Sequence, residues 1–195
     1  MPTTKPGATK PRATKPRATK PLLLLAVAAF AIAAHAALKP GDAAPDFKTQ
    51  ASLGGREFSY SLGDALKKGP VVLYFYPAAF TSGCTIEAHD FAEATDAYRA
   101  LGASVIGVSR DDIETLQKFS VSECRSKFAV ASDRDQKIMK AYDAVLALNP
   151  EYADRVSYVI APEGRVIFAY RSLNPEKHVE LTLDALRKWS AQRGK

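Results

Sequence analysis

Cysteine and histidine are scarce in this chain, and their spacing weakens two classes of protein. The 195 residues contain two cysteines, Cys84 and Cys124, and three histidines, with no Cys-x-x-Cys and no His-x-x-His. A preformed metal site needs such a cluster of ligands, so no metal or other cofactor is expected. A thiol–disulfide exchange protein would carry a second cysteine three residues after the first, yet Glu87 stands there.

Acidic residues are absent before Asp42, which explains the formal net charge of +6. Six lysines and arginines precede Leu22, and the remaining 21 basic residues are matched by 21 acidic ones. A neutral domain lacks the basic footprint that binds phosphate backbones. No nucleic-acid partner is expected.

The N-terminal segment has the three parts of a secretory signal peptide. Residues 8–21 repeat Ala-Thr-Lys-Pro-Arg, and a proline in every repeat predicts a disordered basic region over 1–21. Residues 22–34 are uncharged and span about 20 Å as a helix, short of a bilayer core of about 30 Å. Ala34-His35-Ala36 follows as a cleavage site. We predict a signal peptide over 1–36, cleaved after Ala36, and export to the periplasm.

The alternative for this segment is an uncleaved anchor. Extending the apolar run to Leu38 gives 17 residues interrupted by His35, which is marginal for spanning a bilayer. Any contact with a membrane is expected only through this segment.

Residues 37–195 contain no low-complexity linker and predict one domain. Short apolar runs bounded by turn residues predict strands at 71–76, 104–108, 128–131, 156–160 and 166–170. The last two are joined by Ala161-Pro162-Glu163-Gly164 and predict a hairpin. Strands that alternate with helices and end in a hairpin predict an α/β fold, with helices on both faces of a mixed sheet.

Helices are predicted from apolar positions three and four residues apart. The first presents Cys84, Ala88, Phe91, Thr95, Tyr98 and Leu101 on one face. Ser109-x-x-Asp112 resembles a capping box with aspartate in place of glutamate, and it predicts a second helix that carries Ile113, Leu116 and Phe119. Two further helices are predicted at 135–142 and 178–189, the latter with Val179, Leu183 and Leu186 facing inward.

Cys84 is predicted to lie in the first turn of the helix that follows strand 71–76. Backbone N–H groups there have no intrahelical partner and the helix dipole is positive, so both favour a thiolate. Thr81 lies three residues upstream, where its hydroxyl can reach the same turn. The alternative is a small buried hydrophobic residue, since free cysteine is often buried.

These residues resemble a known family. Pro77-x-x-x-Thr81-x-x-Cys84 is similar to the active-site motif of peroxiredoxins, and the flanking residues resemble the Q-type, bacterioferritin-comigratory branch. Residues 41–47 resemble the usual opening of the family, and residues 155–160 resemble a strand whose arginine, here Arg155, faces the reactive cysteine. Without this resemblance Arg155 would be interpreted as a solvated side chain.

The resemblance implies a thioredoxin-like fold and a thiol-dependent peroxidase. Cys84 would attack a hydroperoxide, Thr81 and Arg155 would stabilise charge, Pro77 would shield the site, and Glu87 is a secondary candidate. The implied partners are a hydroperoxide substrate and a thioredoxin-like or small-thiol reductant, and the branch implies a monomer. The alternatives are a secreted thioredoxin-fold exchange protein or a non-catalytic binding protein.

The chain departs from its nearest pattern at the second cysteine. Many Q-type relatives carry a cysteine five residues after the first, where this chain has His89. His89 is expected about 140° around the helix from Cys84, so a solvated or satisfied histidine is favoured over a partner of the thiol.

Cys124, near the end of the second predicted helix, is the candidate resolving cysteine. It would form an intramolecular disulfide with the sulfenic acid of Cys84, with Arg125 and Lys127 stabilising its thiolate. The site would have to unwind locally, because a disulfide needs Cα atoms within about 7 Å. Two alternatives stay open: an inert Cys124 in a one-cysteine enzyme, and a static structural disulfide.

Overall fold

The computed structural model describes residues 1–4, 7 and 38–193. Most of the predicted signal peptide, including its apolar run and cleavage site, lies outside these residues. In the part of the chain that is described, no helix is both long and apolar enough to cross a membrane.

The domain is one mixed sheet of seven strands with helices between them. The strands are β1 Lys48–Leu53, β2 Arg56–Ser61, β3 Val71–Phe75, β4 Ser104–Ser109, β5 Ala129–Ser132, β6 Val156–Ile160 and β7 Val166–Arg171. The helices are α1 Leu62–Leu66, α2 Ser82–Ala100, α3 Ile113–Ser122, α4 Lys137–Ala141 and α5 His178–Arg193, the last preceded by a 3₁₀ turn at Pro175–Lys177.

The strand order is β2-β1-β5-β4-β3-β6-β7. The central strands β3, β4 and β5 are parallel, and the remaining pairs are antiparallel. The predicted α/β class, the mixed sheet and the β6–β7 hairpin are confirmed. All five residues of β3 are buried, as expected for a strand covered on both faces.

The β1–β2 hairpin was not predicted from the sequence. Its two strands meet at Gly54 and Gly55, with φ of 57° and 78°, a backbone region that glycine enters without steric cost. Two glycines between strands are a known hairpin signal. The residues of β2 are largely exposed. The strand has no continuous apolar run of the kind that predicted the other strands.

The predicted capping box is wrong in its details. Asp112, not Ser109, caps α3: its carboxylate accepts from the N–H of Thr115 at 2.8 Å. Ser109 is the last residue of β4, and its hydroxyl donates to Asp111 at 2.8 Å. The strand therefore runs one residue beyond its predicted end, and the cap shifts to the next polar side chain.

The two faces of the sheet carry separate cores, because successive side chains of a strand point to opposite sides. On β3, Leu73 and Phe75 join one core, which α1 and α4 cover. Tyr74 and Tyr76 join the other core, which α2, α3 and α5 cover. Cys84 and Cys124 both belong to this second core.

Candidate active site

The turn between β3 and α2 is fixed by a carboxylate from the next strand connection. The N–H of Ala79 donates to Asp111 Oδ2 at 2.7 Å, and the hydroxyl of Ser109 donates to the same oxygen at 2.8 Å. Phe80 adopts a left-handed φ of 63° and packs edge-on against Phe119. The turn therefore has a defined shape before α2 begins.

Cys84 lies at the third position of α2, in its first turn as predicted. The first amide to bond within the helix is that of Thr85, to the carbonyl of Thr81 at 2.9 Å. The N–H groups of residues 82–84 have no hydrogen-bond partner among the described residues. The Cys84 side chain is only 2% exposed, so its sulfur is shielded from bulk water.

Arg155 provides the positive charge at this sulfur. Its Nη2 lies 3.4 Å from Cys84 Sγ, and its Nε donates to the carbonyl of Leu173 at 2.9 Å. The side chain is buried, not solvated, because the antiparallel register pairs Phe75 with Val156. Arg155 directly precedes β6 and therefore lies just beyond the carboxyl end of β3, where α2 begins.

Glu87 completes a chain of three charged or ionisable groups. It lies one helical turn after Cys84 and pairs through Oε2 with Nη1 of Arg155. The side chain is fully buried. Burial raises the pKa of Glu87 to about 8, although Arg155 acts in the opposite direction. The guanidinium thus bridges a carboxyl group and a thiol.

Gly83 leaves room for this guanidinium. A Cβ atom at residue 83 would lie 3.1 Å from Arg155 Nη2, tighter than ordinary van der Waals contact. The missing side chain is what allows the arginine to approach the first turn of α2. The sequence signal for this contact is the glycine directly before Cys84.

Thr81 and Pro77 lie in the same turn, and the only hydrogen bond found for the Thr81 hydroxyl among the described residues is not to the sulfur. Thr81 is the N-terminal cap residue of α2, and its hydroxyl donates to the carbonyl of Ala78 at 3.0 Å. The predicted reach of that hydroxyl toward the first turn is not observed. Pro77 is half-buried and directly follows the last residues of the β3 segment.

Cys124 differs from its predicted setting. It lies just past the end of α3, not inside the helix, and its N–H donates to the carbonyl of Phe119 at 3.1 Å. Arg125 does not stabilise its thiolate, because that side chain turns outward to Glu93 at 3.0 Å. Burial, and then the charge of Glu123, raise the pKa of the Cys124 thiol. The prediction that Arg125 helps to hold a Cys124 thiolate is therefore wrong, whereas the role of Lys127 stays a prediction.

Neither cysteine is in a disulfide. His89 lies 2.9 Å from Glu123 through Nε2, which satisfies it away from the sulfur of Cys84. Within residues 38–193 and the few described N-terminal positions, no group of three or more histidine, cysteine and acidic side chains could hold a metal ion.

Sequence reasoning missed two polar residues of this site. Asp111 fixes the turn, and His178, fully buried at the start of α5, lies 3.6 Å from Glu87 through Nδ1. Both come from elements distant in the chain, and neither belongs to a local motif.

The chain is similar to known proteins in sequence. Residues 40–169 match the AhpC/TSA family. The chloroplastic peroxiredoxin Q of Oryza sativa subsp. japonica is 36% identical over 151 residues, which cover 77% of this chain and 67% of that protein. The peroxiredoxin bcp of Helicobacter pylori is 34% identical over 154 residues, covering 76% and 98%.

A solved structure extends the likeness to the fold. The crystal structure of peroxidoxin BcpB from Mycobacterium tuberculosis superimposes with a TM-score of 0.70 at 28% identity, covering 77% of this chain and 97% of that one. The fold is therefore shared with that protein. The chain belongs to the AhpC/TSA family and is a thiol peroxidase of the peroxiredoxin Q/bcp group.

Proposed function

We propose that Cys84 is the peroxidatic nucleophile of this enzyme. Its thiolate attacks the terminal oxygen of a hydroperoxide, the S–O bond forms as the O–O bond breaks, and Cys84 becomes a sulfenic acid. The electron pair of the broken bond leaves on the second oxygen, which takes up a proton and departs as water or an alcohol. The observation that supports this role is the buried sulfur, 3.4 Å from a guanidinium nitrogen.

Arg155 and the first turn of α2 stabilise the charge that moves during this step. Negative charge starts on sulfur and ends on the leaving oxygen, so donors aimed at both positions lower the barrier. The guanidinium is always charged and cannot act as a base. The N–H groups of residues 82–84 supply further donors. Thr81 and Pro77 shape the turn that presents these N–H groups to the peroxide.

A single-turnover experiment tests the nucleophile. Reduced wild-type protein should consume one equivalent of hydrogen peroxide, and Cys84→Ser should lose this reaction by more than about 1,000-fold. Cys124→Ser should keep the first turnover. If Cys124→Ser lost the first turnover and Cys84→Ser retained it, the nucleophile would be Cys124 and the proposal would be wrong. A chelator should change nothing, which separates this mechanism from metal chemistry.

Cys124 resolves the sulfenic acid in this proposal. Its thiol loses a proton and attacks the sulfur of Cys84, an S–S bond forms and water leaves. Both cysteines belong to one core, and Tyr74 and Tyr76 lie within electrostatic reach of both. The first turn of α2 and the segment after α3 must open locally, since both sulfurs are buried.

The alternative is a one-cysteine enzyme that an external thiol reduces directly, and the complete burial of Cys124 favours it. Disulfide mapping by mass, after one equivalent of peroxide, separates the two. A Cys84–Cys124 disulfide supports resolution, whereas a lasting unbridged sulfenic or sulfinic Cys84 supports the alternative.

The setting of the enzyme follows from the N-terminal segment. An exported protein meets thioredoxin-like donors or small thiols outside the cytoplasm, and these are the reductants proposed here, with a monomer as the working unit. The composition of residues 1–36 supports export and cleavage. N-terminal sequencing of the mature protein should begin at Ala37, and a start at Met1 or Pro2 would contradict cleavage.

A further inference from the structure

The guanidinium of Arg155 is held by a main-chain carbonyl as well as by Glu87. Its Nε donates to the carbonyl oxygen of Leu173 at 2.9 Å. Its Nη1 pairs with Glu87, and its Nη2 lies 3.4 Å from Cys84 Sγ. A guanidinium is planar and its donors form a rigid fork. Any shift of the Leu173 carbonyl therefore also moves the donor that lies at the sulfur.

The carbonyl of Leu173 belongs to a short segment, residues 172–174, between the end of β7 and the 3₁₀ turn that precedes α5. Packing of side chains does little to hold this 172–174 segment, because Leu173 is 59% exposed and Asn174 is exposed as well. The position of the segment therefore depends mainly on the hydrogen bonds of its main chain.

Hydrogen bonds hold three consecutive peptide groups of the 172–174 segment. The N–H of Ser172 donates to the carbonyl of Arg155 at 3.1 Å, and the carbonyl of Ser172 lies 2.9 Å from Nε2 of His178. The N–H of Asn174, in the same peptide group as the Leu173 carbonyl, donates to Ser172 Oγ at 3.2 Å. Among the described residues, His178 is the only partner found for the peptide group that joins Ser172 to Leu173.

The ring of His178 is fully buried and packs edge-on against Tyr170, with centroids 4.8 Å apart. A carbonyl oxygen only accepts hydrogen bonds, so Nε2 carries a proton and donates to Ser172. Nδ1 accepts from the hydroxyl of Ser157 on β6 at 2.8 Å, whereas Glu87 Oε1 is 3.6 Å away, beyond hydrogen-bond distance. The imidazole therefore links β6 to the 172–174 segment in one orientation.

We propose that His178 is a positioning residue: it fixes the 172–174 segment so that the Leu173 carbonyl aims the guanidinium of Arg155 at the sulfur of Cys84. This inference rests on the proposed function, in which Arg155 stabilises the charge that moves during the attack on peroxide. Donors at a reacting centre need to be held to within about 0.5 Å by the groups around them. His178 affects the rate in this way without a hydrogen bond of its own to the sulfur.

The test is the first-turnover rate of hydrogen peroxide reduction by the reduced full-length protein, with matched variants at residue 178. His178→Asn keeps a polar group near the Nδ1 position but is too short to reach Ser172. Its rate should fall by about tenfold, since a misplacement of about 1 Å can cost about 100-fold. His178→Gln places an amide N–H near the position of Nε2 and should recover the rate to within about threefold of wild type. A wild-type rate in His178→Asn, or an equal loss in both variants, would overturn the proposal.

Thr182→Val is the control for a general loss of stability. Thr182 is also fully buried in α5, and its hydroxyl lies 2.7 Å from that of Tyr98. Loss of this buried hydroxyl should lower the urea midpoint of unfolding, as His178→Asn does. The first-turnover rate of Thr182→Val should nevertheless stay within about twofold of wild type. A tenfold loss of rate in this control would assign the effect to damage in α5 and would contradict positioning.

Arg155→Met supplies a background in which positioning of the guanidinium has nothing to act on. His178→Asn added to Arg155→Met should change the remaining rate by less than about twofold, because both changes remove the same interaction. A further tenfold loss in this background would show that His178 acts through another group, and the inference would be wrong.

Ser172→Ala decides the matter if His178→Asn does not fold. It removes the hydroxyl that holds the peptide group of the Leu173 carbonyl, so the rate should fall by about threefold. A Ser172→Ala rate equal to wild type would then overturn the proposal. Failure of this inference is distinct from failure of the proposed function. The latter fails if Cys84→Ser still reduces peroxide, or if Arg155→Met reacts as fast as wild type.

Discussion

The two cysteines of this chain lie in one core and are almost equally buried, yet their surroundings are opposite. Cys84 is 2% exposed and Cys124 is 0% exposed. Cys84 lies at the start of a helix, beside the guanidinium of Arg155. Cys124 lies just past the end of a helix, where the dipole is negative, and its charged neighbour is Glu123. Charge, not exposure, distinguishes the thiol proposed to attack the peroxide from the thiol of Cys124.

The largest expected effect is the selectivity of alkylation between these two thiols. In the native protein at pH 8, iodoacetamide should label Cys84 at least about 100-fold faster than Cys124, because only the thiolate reacts and Cys124 is held neutral. In denaturing urea the two rates should converge to within a few-fold. Equal labelling in the native state would remove the contrast between the two sites.

The second largest effect is expected from removing the Arg155 guanidinium, which lies beside Cys84 and not beside Cys124. Arg155→Met should lower the rate of peroxide reduction by about 100- to 1,000-fold, the usual cost of removing a donor from a charged transition state. Arg155→Lys should recover only part of this loss, because one ammonium group cannot bridge Glu87 and Cys84 as a guanidinium does.

Arg125 provides the control for Arg155, since it is a half-exposed arginine that pairs with Glu93 beside Cys124. Arg125→Met should leave the first turnover within about twofold of wild type, because exposed ion pairs contribute little. A loss similar to that of Arg155→Met would show that the rate follows overall charge and not the contact with sulfur.

Glu87, which shares Arg155 with Cys84, should make the stability of the fold depend on pH. An acid whose pKa is raised from 4.5 to about 8 on folding stabilises the fold below pH 4.5, and this contribution is lost as the pH rises toward 8. Burial lowers the pKa of His178 from 6.5 to about 4, so most of its titration lies below pH 6.5 and the window from 6.5 to 8 reports mainly on Glu87. There the free energy of unfolding should fall by about 2 kcal/mol in wild type.

Urea unfolding at pH 6.5 and pH 8 measures this effect. Glu87→Gln should remove the difference between the two pH values, since an amide does not titrate. Glu163→Gln, at an exposed position, should retain it. A wild-type protein that gains stability between these pH values would contradict a buried, protonated Glu87.

Gly83 gives the smallest effect. Gly83→Ala forces Arg155 Nη2 away from a new Cβ atom at 3.1 Å, so peroxide reduction should fall by several-fold, or about 1 kcal/mol of barrier. Stability should stay level or rise slightly, because alanine suits a helix better than glycine. Ser82→Ala at the neighbouring exposed position is the control, and an equal loss there would exclude the steric explanation.

The sequence was informative wherever the signal was local. The strand 71–76, the turn and the first helix position of Cys84 follow from contiguous residues, and the resemblance added Arg155. The weakly apolar β1–β2 hairpin was missed because its strands bury little surface.

Contacts between distant segments were beyond sequence reasoning. Glu87 and Arg155 are separated by 68 residues, and only the register of β3 with β6 brings them together. His178 joins them because α5 begins against the same end of the sheet. The orientation of the Thr81 hydroxyl depends on a rotamer, which no periodic pattern specifies.

The most direct test of the account is the identity of the first sulfur that peroxide oxidises. Reduced wild-type protein is mixed with one equivalent of hydrogen peroxide and quenched at short times with dimedone, which traps sulfenic acids, and both cysteines are then mapped by mass. We expect the trapped group on Cys84 at the earliest times and none on Cys124 at any time. A first sulfenic acid on Cys124, or peroxide consumed with Cys84 left unmodified, would contradict it.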